Sequence, residues 1–160
     1  MKIKVGFGFD VHQLKDNHPF ILGGVELDHY KGAFGHSDAD VLAHAICDAL
    51  LGAANLGDIG YHFKNTDDRW KGIDSLILLK ECVKMVGEKG FKIGNVDAML
   101  CIEAPKINPH IPAMKKNIAA AMGCEEEDIS IKATTNETMG FIGREEGVVA
   151  YAVCLIEKQS

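Results

Sequence analysis

At 160 residues the chain can bury roughly two thirds of the surface its unfolded form exposes around one core, so a single domain over residues 1–160 is expected. A formal charge of -6, with 47% hydrophobic and 25% charged residues, describes an ordinary globular chain and argues against nucleic acid as the main partner. Five scattered cysteines without a C-x-x-C suggest neither a disulfide framework nor a cysteine zinc knuckle, and no stretch reads as a signal peptide or membrane span; a reducing cytoplasm is the expected setting.

Residues 2–9 read as a strand that runs into Asp10 and His12. In an extended chain these two side chains, two residues and roughly 7 Å apart, project from the same face. Taken alone the pair is an ordinary solvated strand end. "PFILGGVEL" (19–27) reads as two short strands around the Gly23-Gly24 turn signal. In "HSDADVLAHAICDALLGAANLGD" the residues Val41, Leu42, Ala45, Ile46, Ala49, Leu50 and Ala53 recur at helical spacing, and Ser37 with Asp40 resembles a capping box at its start. On that helix Asp40, His44 and Asp48 form a polar stripe at i, i+4 and i+8, from which either aspartate could take the second ring N–H of a metal-ligating histidine.

Residues 60–74, rich in turn formers, read as an exposed loop. An amphipathic helix is expected over 75–88, with Leu76, Leu79, Cys82, Val83 and Val86 inward and Gly90 as its stop. A strand follows over 91–103, then three prolines, a third helix ending at Gly123, a strand in "DISIKATT" and a long β-branched strand in "GVVAYAVCLIEK". This order points to an α+β fold, a mixed β-sheet with helices packed on one face.

If His44 reaches the point where Asp10 and His12 converge, one oxygen and two nitrogens form a set that suits tetrahedral zinc and leaves one position open. His36 and Ser37, just before the helix, stand where unpaired N–H groups favour an anion. A second polar cluster, "KATTNETMGFIGREEG" (132–147), offers hydroxyls, amides, Glu137 and Arg144, groups suited to phosphate oxygens and to a magnesium ion between two phosphates.

"DVH", "HSDAD" with His44, "LGDIG", "F-x-x-TD", "APK-x-x-PHIP" and "KATTNE…GFIGR" together resemble the bacterial 2-C-methyl-D-erythritol 2,4-cyclodiphosphate synthases of the non-mevalonate isoprenoid pathway, in family order from about Ile3 to Glu157. The resemblance implies a fold similar to the trimeric chorismate mutases and a homotrimer with each site between two subunits. It implies Zn2+ on Asp10, His12 and His44, and Mg2+ or Mn2+ on Glu137. It places His36, Ser37, Thr134 and Thr135 on the phosphates, with His36 and Thr135 stabilising the transition state and Asn136 close by, and Asp58, Ile59 and Gly60 at the ribose. Ala104, Pro105, Lys106 and Ile107 would line the cytidine pocket. Phe63, Asn65, Thr66 and Asp67 would cover the methylerythritol, although Lys64 stands where the family carries proline. Phe141 and Arg144 complete the set, Arg144 with Phe9 facing the trimer axis or pairing with Glu145 or Glu146. The implied reaction is metal-assisted cyclisation with release of CMP. Two other readings compete: a zinc-dependent phosphate-ester hydrolase using Asp48 or Glu137 as base, and a non-catalytic trimeric module that binds nucleotides or isoprenoid diphosphates.

Overall fold

The computed structural model describes residues 2–159. Seven strands and five helices follow in chain order: β1 (Ile3–Asp16), β2 (Ile21–Leu22), β3 (Val25–Glu26), β4 (Lys31–Phe34), α1 (Val41–Ala53), α2 (Ile59–His62), α3 (Ser75–Glu88), β5 (Phe91–Cys101), α4 (Ile111–Met122), β6 (Ile129–Thr134), α5 (Gly140–Gly143) and β7 (Gly147–Lys158). The main sheet runs β4-β1-β7-β5-β6, antiparallel except for the β5–β6 pair, while β2 and β3 form the expected hairpin. This is the mixed, helix-covered sheet anticipated from the sequence.

Alternation along β1 decides where the helices sit. Gly6, Gly8, Asp10, His12 and Leu14 face the helices, and Val5, Phe7, Phe9 and Val11 face away. A Cβ at Gly6 would lie 1.8 Å from the carbonyl oxygen of Ala49, and one at Gly8 1.8 Å from that of Ala45. The two glycines therefore let α1 lie almost on the backbone of β1. The opposite face is open and apolar: Val5 and Phe7 are 65% and 64% exposed, and Phe9 and Phe7 flank Tyr151 at ring distances of 5.3 and 6.2 Å. A patch of this kind marks an interaction surface.

The helix boundaries follow their caps. Asp40 caps α1, its carboxylate accepting the Ala43 N–H at 3.1 Å, so the start is a plain aspartate cap and the Ser37 capping box does not form. Its other oxygen accepts the Gly24 N–H at 2.8 Å, which ties the β2–β3 hairpin to the helix. Asp74 caps α3, and Gly90 follows that helix with φ +75. On α3, Leu78, Leu79, Cys82 and Val86 are buried, whereas Leu76 and Val83 are half-buried at its margin. β1 is longer than expected because its second half pairs with β4, and the 60–74 segment carries α2 and a 3-10 turn at Asp68–Trp70. Among the described residues no helix is long and apolar enough to cross a membrane, and the five cysteines are free.

Candidate metal centre and flanking clefts

The close approach of α1 to β1 sets the first of two candidate clefts. Gly8 lies against Ala45, so Asp10, two residues further along the strand, comes opposite the preceding part of α1, where His44 projects. Asp10 Oδ2, His12 Nε2 and His44 Nδ1 lie 3.0, 3.0 and 3.1 Å from one another. Ligand atoms sharing a tetrahedral ion at zinc bond lengths stand about 3.3 Å apart, so the triangle fits one small cation with little adjustment. Among the described residues it is the one group of three or more His, Cys, Asp or Glu residues close enough to hold a metal.

The second nitrogen of His44 shows what the first must do. Nε2 lies 2.8 Å from Ser75 Oγ and 3.1 Å from Ser37 Oγ. Ser75 directs its hydroxyl hydrogen to Asp38 Oδ1 in a short contact, and its own N–H goes to Asp38 Oδ2 at 3.1 Å. The Ser75 oxygen is thus left to accept, and His44 Nε2 carries a proton. Nδ1 then meets a carboxylate oxygen and another ring nitrogen, an arrangement that requires positive charge at its centre, a proton in the metal-free chain or a cation. The electrostatics agree. Burial opposes ionisation of Asp10, but hydrogen bonds and charge from His12 and His44 prevail and hold its pKa down to about 2. Burial likewise opposes protonation of His44, and Asp10 outweighs it and raises the pKa.

This corrects the expectation for Asp40 and Asp48. Neither meets the second nitrogen of His44: Asp40 is consumed as the α1 cap, and Asp48 Oδ1 accepts the Ile59 N–H at 2.7 Å. The serine relay, Ser75 with Asp38, comes from α3 and the loop before α1. Nor is the α1 N-terminus a vacant anion seat, because the buried carboxylate of Asp40 already fills it.

A cleft of about 260 Å³ opens over the triangle, lined by Asp10, His12, His36, Ser37, His44, Ile59, Gly60, Phe63 and Asn65, with Trp70 behind. Phe63 is buried edge-on against Trp70 at 5.2 Å and anchors the loop. Thr66 and Asp67 stand outside the lining, and the Asp67 carboxylate is gripped by Arg69 at 2.5 and 3.0 Å. Asp58 caps α2 by accepting the Tyr61 N–H at 2.9 Å.

A second cleft lies elsewhere. A cleft of about 380 Å³ is lined by Ile102, Glu103, Pro105, Lys106, Ile107, Asn108, Pro109, Ala133, Thr134 and Thr135. Ala104, joined to Pro105 by a cis peptide, is absent from the lining; Ile102, Glu103, Asn108, Pro109 and Ala133 are present and were not foreseen. Asn136 and Glu137 continue from Thr135 into the following turn, Phe141 lies in α5, and Arg144 makes a bidentate pair with Glu146, both contacts 3.0 Å. The two clefts share no lining residue. Strand register measures their separation: Asp10 pairs with Ala150, Ala150 with Leu100, and Leu100 with Ala133. Asp10 and Ala133 therefore occupy one row at the same end of the sheet, three strand spacings or about 14 Å apart.

The YgbB family model matches residues 3–157. The chain belongs to the YgbB family. Among its relatives, a protein of Cytophaga hutchinsonii named 2-C-methyl-D-erythritol 2,4-cyclodiphosphate synthase is 66% identical over 158 residues, 99% of each chain. A protein of Bacteroides thetaiotaomicron bearing the same name is 61% identical over the same share of each chain. Among solved structures, a Plasmodium falciparum IspF described as a CDP complex superposes with a TM-score of 0.87 at 31% identity, over 99% of this chain and 97% of that one. The family expected from the sequence motifs, and the α+β fold with helices packed on a mixed sheet, are thereby established.

Proposed function

We propose that this protein cyclises 4-diphosphocytidyl-2-C-methyl-D-erythritol 2-phosphate to 2-C-methyl-D-erythritol 2,4-cyclodiphosphate and CMP, in the cytoplasm, as a homotrimer whose sites lie between neighbouring subunits. An oxygen of the 2-phosphate attacks the β phosphorus; the bond from that phosphorus to the oxygen bridging it to the α phosphorus breaks, and the electron pair leaves with CMP. The attacking oxygen is already anionic, so the protein needs no general base and works by positioning and by neutralising charge. The observation that carries the reading is the convergence of Asp10, His12 and His44 at the floor of a cleft, in a chain whose full-length relatives carry this synthase name.

Asp10, His12 and His44 would hold zinc, and Glu137 a magnesium or manganese ion. Bound there, the two ions supply Lewis acidity and positive charge to the crowded phosphates. His36 and Thr135 bind the oxygens on which charge develops, with Ser37, Thr134 and the Asn136 amide beside them. The Ser37 hydroxyl, at 3.1 Å from His44 Nε2, also steadies that ring. Asp58 and the backbone of Ile59 and Gly60 take the ribose, and Ala104, Pro105, Lys106 and Ile107 the cytidine. Phe63, Asn65, Thr66 and Asp67 close over the methylerythritol, Asp67 exchanging Arg69 for a substrate hydroxyl. Phe141 and Arg144 border the trimer axis beside the apolar row of β1, whose exposed phenylalanines and valines a trimer would cover.

Hydrolysis is disfavoured by the same geometry. Asp48 is spent on the Ile59 N–H, and Glu137 is engaged as the ligand of the second cation, so neither stands ready to take a proton from water at the triangle. The test is metal analysis of the purified protein with product identification before and after chelation. Cyclic diphosphate plus CMP in equal amounts, lost on chelation and restored by cation, is expected; a ring-opened phosphate, or turnover indifferent to chelation, refutes the reading.

A further inference from the structure

We propose that Glu103 is a positioning residue for Glu137, holding the turn that presents the second cation's ligand; the inference rests on the reading of Glu137 as that ligand. Glu103 leaves the sheet just after β5, beside the end of β6. Its Oε2 accepts the Asn136 N–H at 3.1 Å and its Oε1 accepts the Thr138 N–H at 3.2 Å. One carboxylate thus grips the two amides that flank Glu137.

The turn between them needs such a grip. Glu137 and Thr138 have φ of +51 and +61, two consecutive non-glycine residues in the left-handed region, which L side chains disfavour. The turn's own bonds are all local: Thr135 Oγ1 accepts the Glu137 N–H at 3.4 Å, the Asn136 carbonyl accepts the Met139 N–H at 2.9 Å, Asn136 Nδ2 donates to the Met139 carbonyl at 3.4 Å, and the Thr138 hydroxyl donates to the Glu137 carbonyl at 2.6 Å. On the far side Gly143 presses against it so closely that a Cβ there would stand 2.1 Å from the Thr138 carbonyl carbon. The turn is therefore held between α5 and the Glu103 carboxylate.

A cation held by one protein carboxylate and the substrate's phosphates depends on how well that carboxylate is pre-aimed. Glu103 supplies the aim without competing for the ion, since each of its oxygens already accepts an amide. Glutamine cannot replace it fully: its amide offers one acceptor oxygen and turns a donor toward the second N–H.

The experiment measures Mn2+ binding by electron paramagnetic resonance on the full-length, zinc-loaded protein with CDP present, comparing wild type with Glu103→Ala, Glu103→Gln and Glu137→Gln. Zinc content and far-UV circular dichroism are read on the same samples. The expected result is loss of the manganese site in Glu137→Gln and an affinity about tenfold or more weaker in Glu103→Ala, the scale on which outer-shell partners act. Glu103→Gln falls between, zinc content is unchanged, and kcat falls more than KM for substrate rises. Wild-type manganese affinity in Glu103→Ala beside loss in Glu137→Gln overturns the positioning role and leaves Glu137 as ligand. Undiminished manganese binding in Glu137→Gln overturns the ligand reading and the proposal with it. Should Glu103→Ala fail to fold, Glu103→Gln carries the test, and loss of zinc along with manganese in both overturns the proposal.

Discussion

Mixing two inactive variants, His44→Ala and Glu137→Gln, should restore activity that neither has alone. His44 belongs to the cleft over β1, and Glu137 follows Thr135 of the cleft beyond β6. The row Asp10, Ala150, Leu100, Ala133 sets those clefts about 14 Å apart across three strand spacings, so one diphosphate reaches both halves when they come from two copies. In the proposed ring of three, each site would take the Asp10–His12–His44 triangle from one chain and Glu137 from the next. A random equal mixture then pairs an intact triangle with an intact Glu137 at one half times one half, about a quarter, of the interfaces. CMP release from co-expressed, differently tagged chains should reach about a quarter of the wild-type rate, against near zero for either variant alone. Native mass spectrometry confirms that mixed trimers formed. Mixed trimers with no recovered activity would mean that each site is built within one chain, and the argument from strand register would fail.

Replacing Ser75 by alanine removes the acceptor for the His44 N–H but leaves Ser37 Oγ at 3.1 Å to take it over; a loss of about 1–2 kcal/mol, or roughly tenfold in zinc affinity, is expected by competition with a chromophoric chelator. Ser37→Ala with Ser75→Ala should weaken zinc further still, and a double variant no worse than the single would show that the relay is idle. Gly8→Ala drives a methyl to 1.8 Å from the Ala45 carbonyl oxygen; urea denaturation should show destabilisation of about 3 kcal/mol or more, with the variant failing to fold at the extreme, and wild-type stability would contradict the packing. Phe7→Glu places a charge on the open apolar sheet face; sedimentation should find monomers that still bind zinc but release no CMP, and an intact trimer would refute the role given to that face.

The core helices and the closing strand were legible because their apolar periods run long enough to be unambiguous: α3 spans Ser75–Glu88 and β7 Gly147–Lys158, as the patterns indicate. The Asp10–His12 pair was legible for a similar reason, since a two-residue period leaves no choice of face. β4 escaped notice because "KGAF" is four residues long, contains glycine and gains strand character only from the second half of β1. The partner of His44 escaped for a different reason. Helical spacing pointed to residues four away on α1 itself, but Asp40 is drawn into the cap and Asp48 toward α2, while the actual acceptor, Ser75, is a buried serine thirty-one positions distant. Its one sequence signal is a polar side chain on the inward face of an otherwise apolar helix. Glu103 was hidden likewise, because its work is done on backbone amides, which every sequence possesses.

The alternation Gly6, Gly8, Asp10, His12 on a single face of β1 ties the stability of the fold to the chemistry of the site. Glycine at two successive inward positions removes the side chains that would hold a helix away from a sheet, and α1 settles until its carbonyls nearly touch the strand. Only at that distance can a ring on the helix meet a carboxylate and a ring on the strand within 3.1 Å. A bulkier residue at either glycine would lift α1 and open the triangle before any ligand was itself altered. The same closeness confines His44 between Asp10 on one side and Ser75 on the other, so its tautomer and orientation are settled by packing before a cation arrives. Pre-organisation of that kind is what would let three side chains grip one small cation firmly.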